Sequence, residues 1–320
     1  MTSLLNWGTH RLGCVGTILP GIPSVRHALP GACRALFSCR GHVINSSVPL
    51  NAISIESLHK SFPPGQSGWR AFLQPFAAAT LPALRNVTME VRQGEAVALL
   101  GTNGAGKTTL LRILATLLLP TDGSALVAGH DAVRDPAGVR RQLGYHAGTD
   151  SGFYARLTGR ENLHFFGRLN HLSDAFLRKR IAELAERLDL HSALDRQVRA
   201  LSAGTVQRLS LLRAMIHGPK VLLLDEPTRS LDAIAASDFR NFLKSEVLKK
   251  QGTALLFASH TLSEIEFLAD RVAVLDRGSL VALDTAANLK SRAAAATLEQ
   301  AFSKLTGHDT RVLDEEPRPL

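Results

Sequence analysis

Two short stretches and one histidine carry side chains whose types and spacing suit phosphate chemistry. GTNGAGKTT, residues 101–109, fits the pattern G-x-x-x-x-G-K-[ST] through Gly101, Gly106, Lys107 and Thr108. It follows an apolar strand-like run and opens a helical one, the context that makes this pattern specific. Glycines there let the backbone wrap so that successive N–H groups point inward as an anion nest. Lys107 would bring charge to β- and γ-phosphates, and the Thr108 hydroxyl would serve Mg²⁺. VLLLDEP, residues 221–227, supplies the acids. Asp225 ends an apolar strand, where a carboxylate can hold Mg²⁺ directly or through water. Glu226 follows it, placed to orient and deprotonate an attacking water. A mere turn-capping pair explains these acids less well, because four apolar residues would lead them toward the core without a cation. His260 closes another apolar run, ALLFASH, where it could touch a γ-phosphate.

A further stretch raises a question. LSAGTVQRL, residues 201–209, reads as a tight turn opening into a helix, a geometry that collects a phosphate. The chain already has a better cradle at 101–109, which raises the question of whose phosphate this helix start would take.

The elements that must position these groups are legible in the hydrophobic pattern. ISIESLHKSF, from Ile53, alternates as a strand, with VTMEV (87–91) as its antiparallel partner. EAVALLG, VLLLDEP, ALLFASH and RVAVLD are continuous apolar runs, expected of parallel strands buried on both faces. A helix is predicted from Lys107 to Leu119. Another is predicted over Ser173–Leu190, with Leu177, Ile181, Leu184 and Leu188 on one side. The fold class is therefore α/β, with a mainly parallel core sheet, an antiparallel β edge subdomain, and an inserted helical subdomain over about 145–218. Between the first two strands, SGWRAFLQPFAAAT (67–80) spaces Trp69, Phe72, Leu73 and Phe76 at i, i+3, i+4 and i+7. It reads either as a flap over the sheet edge or as a dock for a partner or membrane interface.

Composition bounds the rest. In 320 residues, 45% hydrophobic and 20% charged content are those of an ordinary globular chain. Aromatic content of 5% argues against a base-stacking surface, and no nucleic-acid partner is expected. The net charge is +9, and Arg11, Arg26, Arg34 and Arg40 lie in an opening segment with no acid before Glu56. Residues 1–50 lack a sustained period and are expected to be a flexible or spurious extension: an organelle transit peptide, a degenerate secretory signal, or upstream sequence from a wrong start. All three cysteines (Cys14, Cys33, Cys39) fall there, leaving no disulfide or cysteine-metal framework for the body. No apolar run reaches the roughly 18 residues of a membrane span. The polar tail over 307–320 is expected to fray.

In their order, these motifs resemble the nucleotide-binding subunit of ATP-binding cassette (ABC) transporters, a P-loop NTPase fold. The resemblance covers roughly residues 53–306, with the cassette domain at 51–306. Walker A is GTNGAGKTT, the signature LSAGTVQR, Walker B VLLLDE, the D-loop SLD (230–232), and the switch histidine His260. The resemblance implies catalytic roles for Glu226, His260 and Lys107, and Mg²⁺ held by Thr108 and Asp225. It implies ATP binding by Phe62, Gly101, Asn103, Gly104, Ala105, Gly106, Lys107, Thr108, Thr109, Ser202, Gly204 and Asp232. Phe62 matches the ring that stacks on adenine, and a flat apolar ring suffices for that.

It also answers the question of the second helix start. In the family, two cassettes sandwich ATP head to tail, so Ser202 and Gly204 would face the γ-phosphate of a second cassette, either an identical chain or a close homologue. The run FYARLTGRENLHFFGRLN, with DEPTRSLD and ATLLLPTDG, is similar to the exporter branch, whose members move drugs, polysaccharides or lipids through a separate transmembrane permease subunit. A peripheral place on the cytoplasmic face of the plasma membrane follows. The expected dock for a permease helix is the cleft near Phe153, Tyr154 and Leu157. Two departures stand out. The signature has Ala203 and Thr205 where the family has glycine and glutamine, and the glutamine expected after a G-Y-x-x stretch is Gly148, leaving Asp150 or water as substitutes. The competing reading is a soluble ABC ATPase of ribosomes or DNA. A single Walker A and no long coiled-coil insertion weigh against it.

Overall fold

In a computed structural model of the chain, residues 51–63, 81–148 and 152–307 are described. The N-terminal extension, the 67–80 insert, Asp150 and residues 308–320 lie outside them. The elements in chain order are β1 (Asn51–Phe62), β2 (Leu81–Arg92), β3 (Ala96–Leu100), α1 (Lys107–Leu114), β4 (Asp122–Val127), β5 (His130–Asp131) and α2 (Pro136–Gln142). There follow β6 (Leu143–Ala147), α3 (Gly159–Leu169), α4 (Asp174–Arg187), α5 (Ala203–Met215), β7 (Val221–Asp225) and α6 (Ala233–Phe242). Then come β8 (Ala254–Ala258), α7 (Leu262–Leu268), β9 (Arg271–Asp276), β10 (Ser279–Asp284), α8 (Ala286–Arg292) and α9 (Leu298–Thr306). A π-helical stretch, Leu243–Lys250, prolongs α6.

The core is a six-stranded sheet in the order β10-β9-β3-β8-β7-β6, parallel from β9 through β6, with β10 antiparallel at one edge. Strands β3 and β8 are buried along their whole length, as runs such as AVALL and ALLFA require. Alternate residues serve opposite faces. Ala98, Leu100, Leu222, Leu224, Leu255 and Phe257 pack toward the helical side. Val97, Leu99, Val221, Leu223 and Leu256 pack toward α1 and the second sheet. That second sheet is antiparallel, in the order β2-β1-β4-β5. The chain is thus an α/β P-loop NTPase fold with a mainly parallel core and an antiparallel β edge.

The helical segment is capped as its sequence dictates. Thr158 and Glu161 form a capping box at the start of α3, and the Ser173 hydroxyl accepts from Phe176 N–H at the start of α4. Leu177, Ile181 and Leu184 of α4 are buried, so the predicted stripe faces the core.

Two expectations change. The helix predicted to run to Leu119 stops at Leu114. Thr116 turns into the left-handed region (φ 60°), and Leu117 N–H donates back to the Arg112 carbonyl at 2.9 Å, a helix-ending turn. Leu117 and Leu119 stay largely exposed, so apolar composition alone overstated the helix. The helical insertion placed at about 145 begins later, because Leu143–Ala147 forms a fifth parallel strand beside β7. The run LGYHA hides this: its histidine is fully buried, with Nδ1 3.0 Å from the Ser210 hydroxyl of α5. That partner lies far along the chain.

All the parallel strands end at the same edge of the sheet. Leu100, Ala147, Asp225 and Ala258 therefore deliver the loops that follow them to one place, where α/β sheets hold ligands.

Candidate functional site

The loop from Gly101 to Gly106 wraps over the end of β3 before α1 begins. Gly106 has φ 103°, and a Cβ there would lie 2.6 Å from the Ala83 carbonyl, so only glycine fits. Lys107, the first residue of α1, is 7% exposed, and its ammonium donates to the Gly101 and Thr102 carbonyls at 2.5 and 3.1 Å. Burial lowers its pKa, opposed by the charges of Glu226 and Asp225. The Thr108 hydroxyl donates to Asp225 Oδ2 at 2.9 Å, joining α1 to the end of β7. Burial raises the pKa of Asp225, while Thr108, Lys107 and Arg112 oppose the shift.

Glu226 is held in a costly backbone conformation, φ 51° for a residue with a side chain. Its N–H donates to the Ala258 carbonyl at 3.0 Å, fastening it to the end of β8. One carboxylate oxygen lies 3.2 Å from His260 Nε2, and the other accepts from the His260 N–H at 3.4 Å. Burial pushes the Glu226 carboxyl up to about 7, with Asp225 and Glu264 adding to the rise against His260 N–H and Lys107. Burial, then Lys107 and Arg229, lower the pKa of His260. A carboxyl that titrates near neutrality beside a neutral imidazole suits proton transfer.

These groups line one cavity of about 380 Å³, together with Asn103, Gly104, Ala105, Gly106, Thr109, Arg112, Gly148 and Gln207. Its lining brings together the glycine-rich loop, the Lys107 ammonium, the Arg112 and Arg229 guanidiniums, two acids and an imidazole. Gly148 belongs to it through backbone geometry: φ is 55°, and a Cβ would lie 3.0 Å from the Asp225 carbonyl. Other expected site residues lie elsewhere. Phe62, at the end of β1, is 37% exposed with the Lys60 ammonium 5.0 Å from its ring centre. Ser202 caps α5 by accepting from Thr205 N–H at 3.2 Å, and it is exposed with Ala203. Asp232 caps α6 by accepting from Ile234 and Ala235 N–H. None of these lines the cavity.

Comparison with known proteins gives the arrangement its family. Residues 84–229 match the family model described as ABC transporter. The ABC transporter ATP-binding protein NatA of Bacillus subtilis (strain 168) is 39% identical over 199 residues, 62% of this chain and 80% of that protein. This chain belongs to the ABC transporter family. It is an ATP-binding subunit and an ATPase. The doxorubicin resistance ATP-binding protein DrrA of Mycobacterium tuberculosis (strain ATCC 25618 / H37Rv) is 39% identical over 242 residues, 75% of this chain and 70% of the relative. A solved ATP-binding subunit of an ABC transporter superposes with TM-score 0.69 at 25% identity, covering 79% of this chain and 99% of the other. An ATP-binding cassette solved as a dimer with ADP and phosphate shares the fold, with TM-score 0.64 at 23% identity, over 73% and 98% of the two chains. These relatives are transporter components, which leaves the ribosome or DNA reading without support.

Two residues of the ABC cassette escaped sequence reasoning. Glu264 is fully buried in α7, hydrogen-bonded to the Ser259 hydroxyl at 2.5 Å and to Thr228, so it ties the loop after β8 to the loop after β7 that carries Glu226. Gln207, in the second turn of α5, reaches the backbone after β7. Neither residue type is diagnostic by itself, and the partners are distant in sequence.

Proposed function

We propose that this ABC subunit drives export through a separate membrane-embedded permease, pairing with a second cassette around Mg²⁺-ATP at the cytoplasmic face of the membrane. The observation that carries the reading is the single cavity in which Lys107, Thr108, Asp225, Glu226 and His260 converge. In it the Walker A N–H groups and Lys107 take the β- and γ-phosphates, a reading supported by the glycine-built loop and the buried ammonium. Thr108 and Asp225 present adjacent hard oxygens that fit Mg²⁺, which would neutralise phosphate charge there. Glu226 takes the proton of the water whose oxygen bonds to the γ-phosphorus, as the bridging P–O bond breaks to give ADP and phosphate. His260 holds the Glu226 carboxylate and meets the γ-phosphate. Phe62 stacks on the adenine, and Asp232 keeps the D-loop turn.

Ser202 and Gly204 serve the other cassette's γ-phosphate, a reading supported by the exposure of Ser202 and Ala203 at the helix start and by the place of Ser202 and Gly204 outside the cavity lining. Export is favoured by the drug-resistance relatives, which are themselves named for doxorubicin resistance. Among the described residues no helix is long and apolar enough to cross a membrane. The docking surface is the aromatic cluster before and within α3. Tyr154 is 53% exposed, edge-on to Phe165 at 5.0 Å, and the Arg213 guanidinium lies 4.8 Å from both the Phe153 and Phe166 rings. Arg213 belongs to α5, so a permease helix seated there presses on the signature helix.

Phosphate release by the purified chain tests the site: it should require Mg²⁺ and vanish in EDTA. Undiminished release in EDTA would overturn the metal assignment.

A further inference from the structure

Gln207 is only 5% exposed, yet its side chain is a primary amide. Its Nε2 donates to the Glu226 carbonyl at 3.2 Å and to the Pro227 carbonyl at 2.6 Å. Its Oε1 accepts from the Ser230 N–H at 3.2 Å. Two carbonyls and one N–H of the loop after β7 thus turn inward, and one side chain with both donors and an acceptor satisfies all three. An apolar residue of equal length would fill the space and leave them unpaired. The same loop carries Glu226 in a strained conformation, which persists only where the surroundings over-determine it.

The other end of this linkage is the start of α5. Ser202 caps the helix and Gln207 lies within its second turn, so the two move as one rigid element. A second contact joins the same parts: a Cβ on Gly204 would lie 2.8 Å from the Ser230 carbonyl, so helix start and loop touch with no slack. We infer that Gln207 is a positioning residue that couples two ATP sites, tying the loop that aims Glu226 at the chain's own ATP to the helix start that faces the partner's. This rests on the reading that α5 completes the other cassette's site. Closing of the signature on one ATP then registers the base at the other.

Mixed dimers separate the two halves. Ser202→Arg chains should be inactive alone, because both sites lose their signature, and Lys107→Ala chains are inactive because both lose phosphate binding. An equal mixture should hydrolyse ATP at one composite site, built from the Walker A loop and Glu226 of the first chain and the signature of the second. Gln207→Met is then placed in either chain of the mixture. In the Ser202→Arg chain it reports on the base loop, and in the Lys107→Ala chain on the signature. Coupling predicts that kcat falls on the order of 10-fold in both placements, with KM for ATP within about two-fold, because geometry rather than binding is lost. Gln207→Glu keeps the shape and the acceptor but loses both N–H donors; it should reproduce the kcat loss and guards against a Met variant that fails to fold. A loss in one placement only, or in neither, overturns the coupling. An inactive parent mixture overturns the trans arrangement itself, whatever Gln207 does.

Discussion

Replacing Glu226 by glutamine should stop hydrolysis and, in the nucleotide-free chain, stabilise the fold in a pH-dependent way. The Glu226 side chain is 18% exposed, and burial raises its pKa from 4.5 to about 7. An acid whose pKa is higher folded than unfolded weakens the fold as it ionises. The penalty is absent below 4.5, grows between 4.5 and 7, and is complete above. Integrating over that window gives about 1 kcal/mol at pH 5 and about 3 kcal/mol at pH 8. Glutamine has the shape of the protonated acid and carries no such penalty. For a domain of this size, about 2–4 °C per kcal/mol puts the variant's Tm roughly 6–12 °C above the parent at pH 8, and about 2–4 °C above it at pH 5. Thermal melts at pH 5, 6.5 and 8 without nucleotide read the gap directly. Phosphate release should fall by on the order of 10² or more, because only the base is lost, while fluorescent-ATP binding remains. A gap that does not widen with pH, or a variant less stable than the parent at pH 8, would refute the burial argument. Parental turnover would refute the assignment of the base.

Lys107→Ala should abolish ATP binding as well as hydrolysis, since Lys107 is the cavity's buried ammonium, seated on the glycine-rich loop itself; retained affinity in a fluorescent-ATP titration would contradict this. Gly148→Ala should cost at least about 1 kcal/mol, because its φ is 55° and the Asp225 carbonyl lies 3.0 Å from the new Cβ. An unchanged melting midpoint would show that the loop relaxes freely. By the same strain, Gly148→Gln should disturb the base-bearing strand end more than it restores a metal contact, read as a lower kcat with no gain in Mg²⁺ affinity. Tyr154→Asp should abolish co-sedimentation with permease-containing membranes while leaving ATP binding intact, and undiminished recruitment across a range of salt would move the dock elsewhere.

The sequence by itself determined the parts of this protein whose signal is local. The G-x-x-x-x-G-K-T run, the acids ending VLLLDE and the histidine ending ALLFASH are each read within a few residues, because a loop's backbone and a strand's last side chain are set by near neighbours. Apolar runs such as AVALL likewise announced strands covered on both faces. Only the tertiary structure decided the rest. Strand β6 was hidden in LGYHA, since a buried histidine is tolerable only beside Ser210, 64 positions on. The helix after Lys107 ended early because Thr116 turns left-handed, and Leu117 and Leu119 then find no core to enter. Gln207 and Glu264 carry no local pattern. An amide or an acid becomes a brace only when the fold turns backbone groups toward it, and those groups come from loops brought together by the parallel order of β6, β7 and β8.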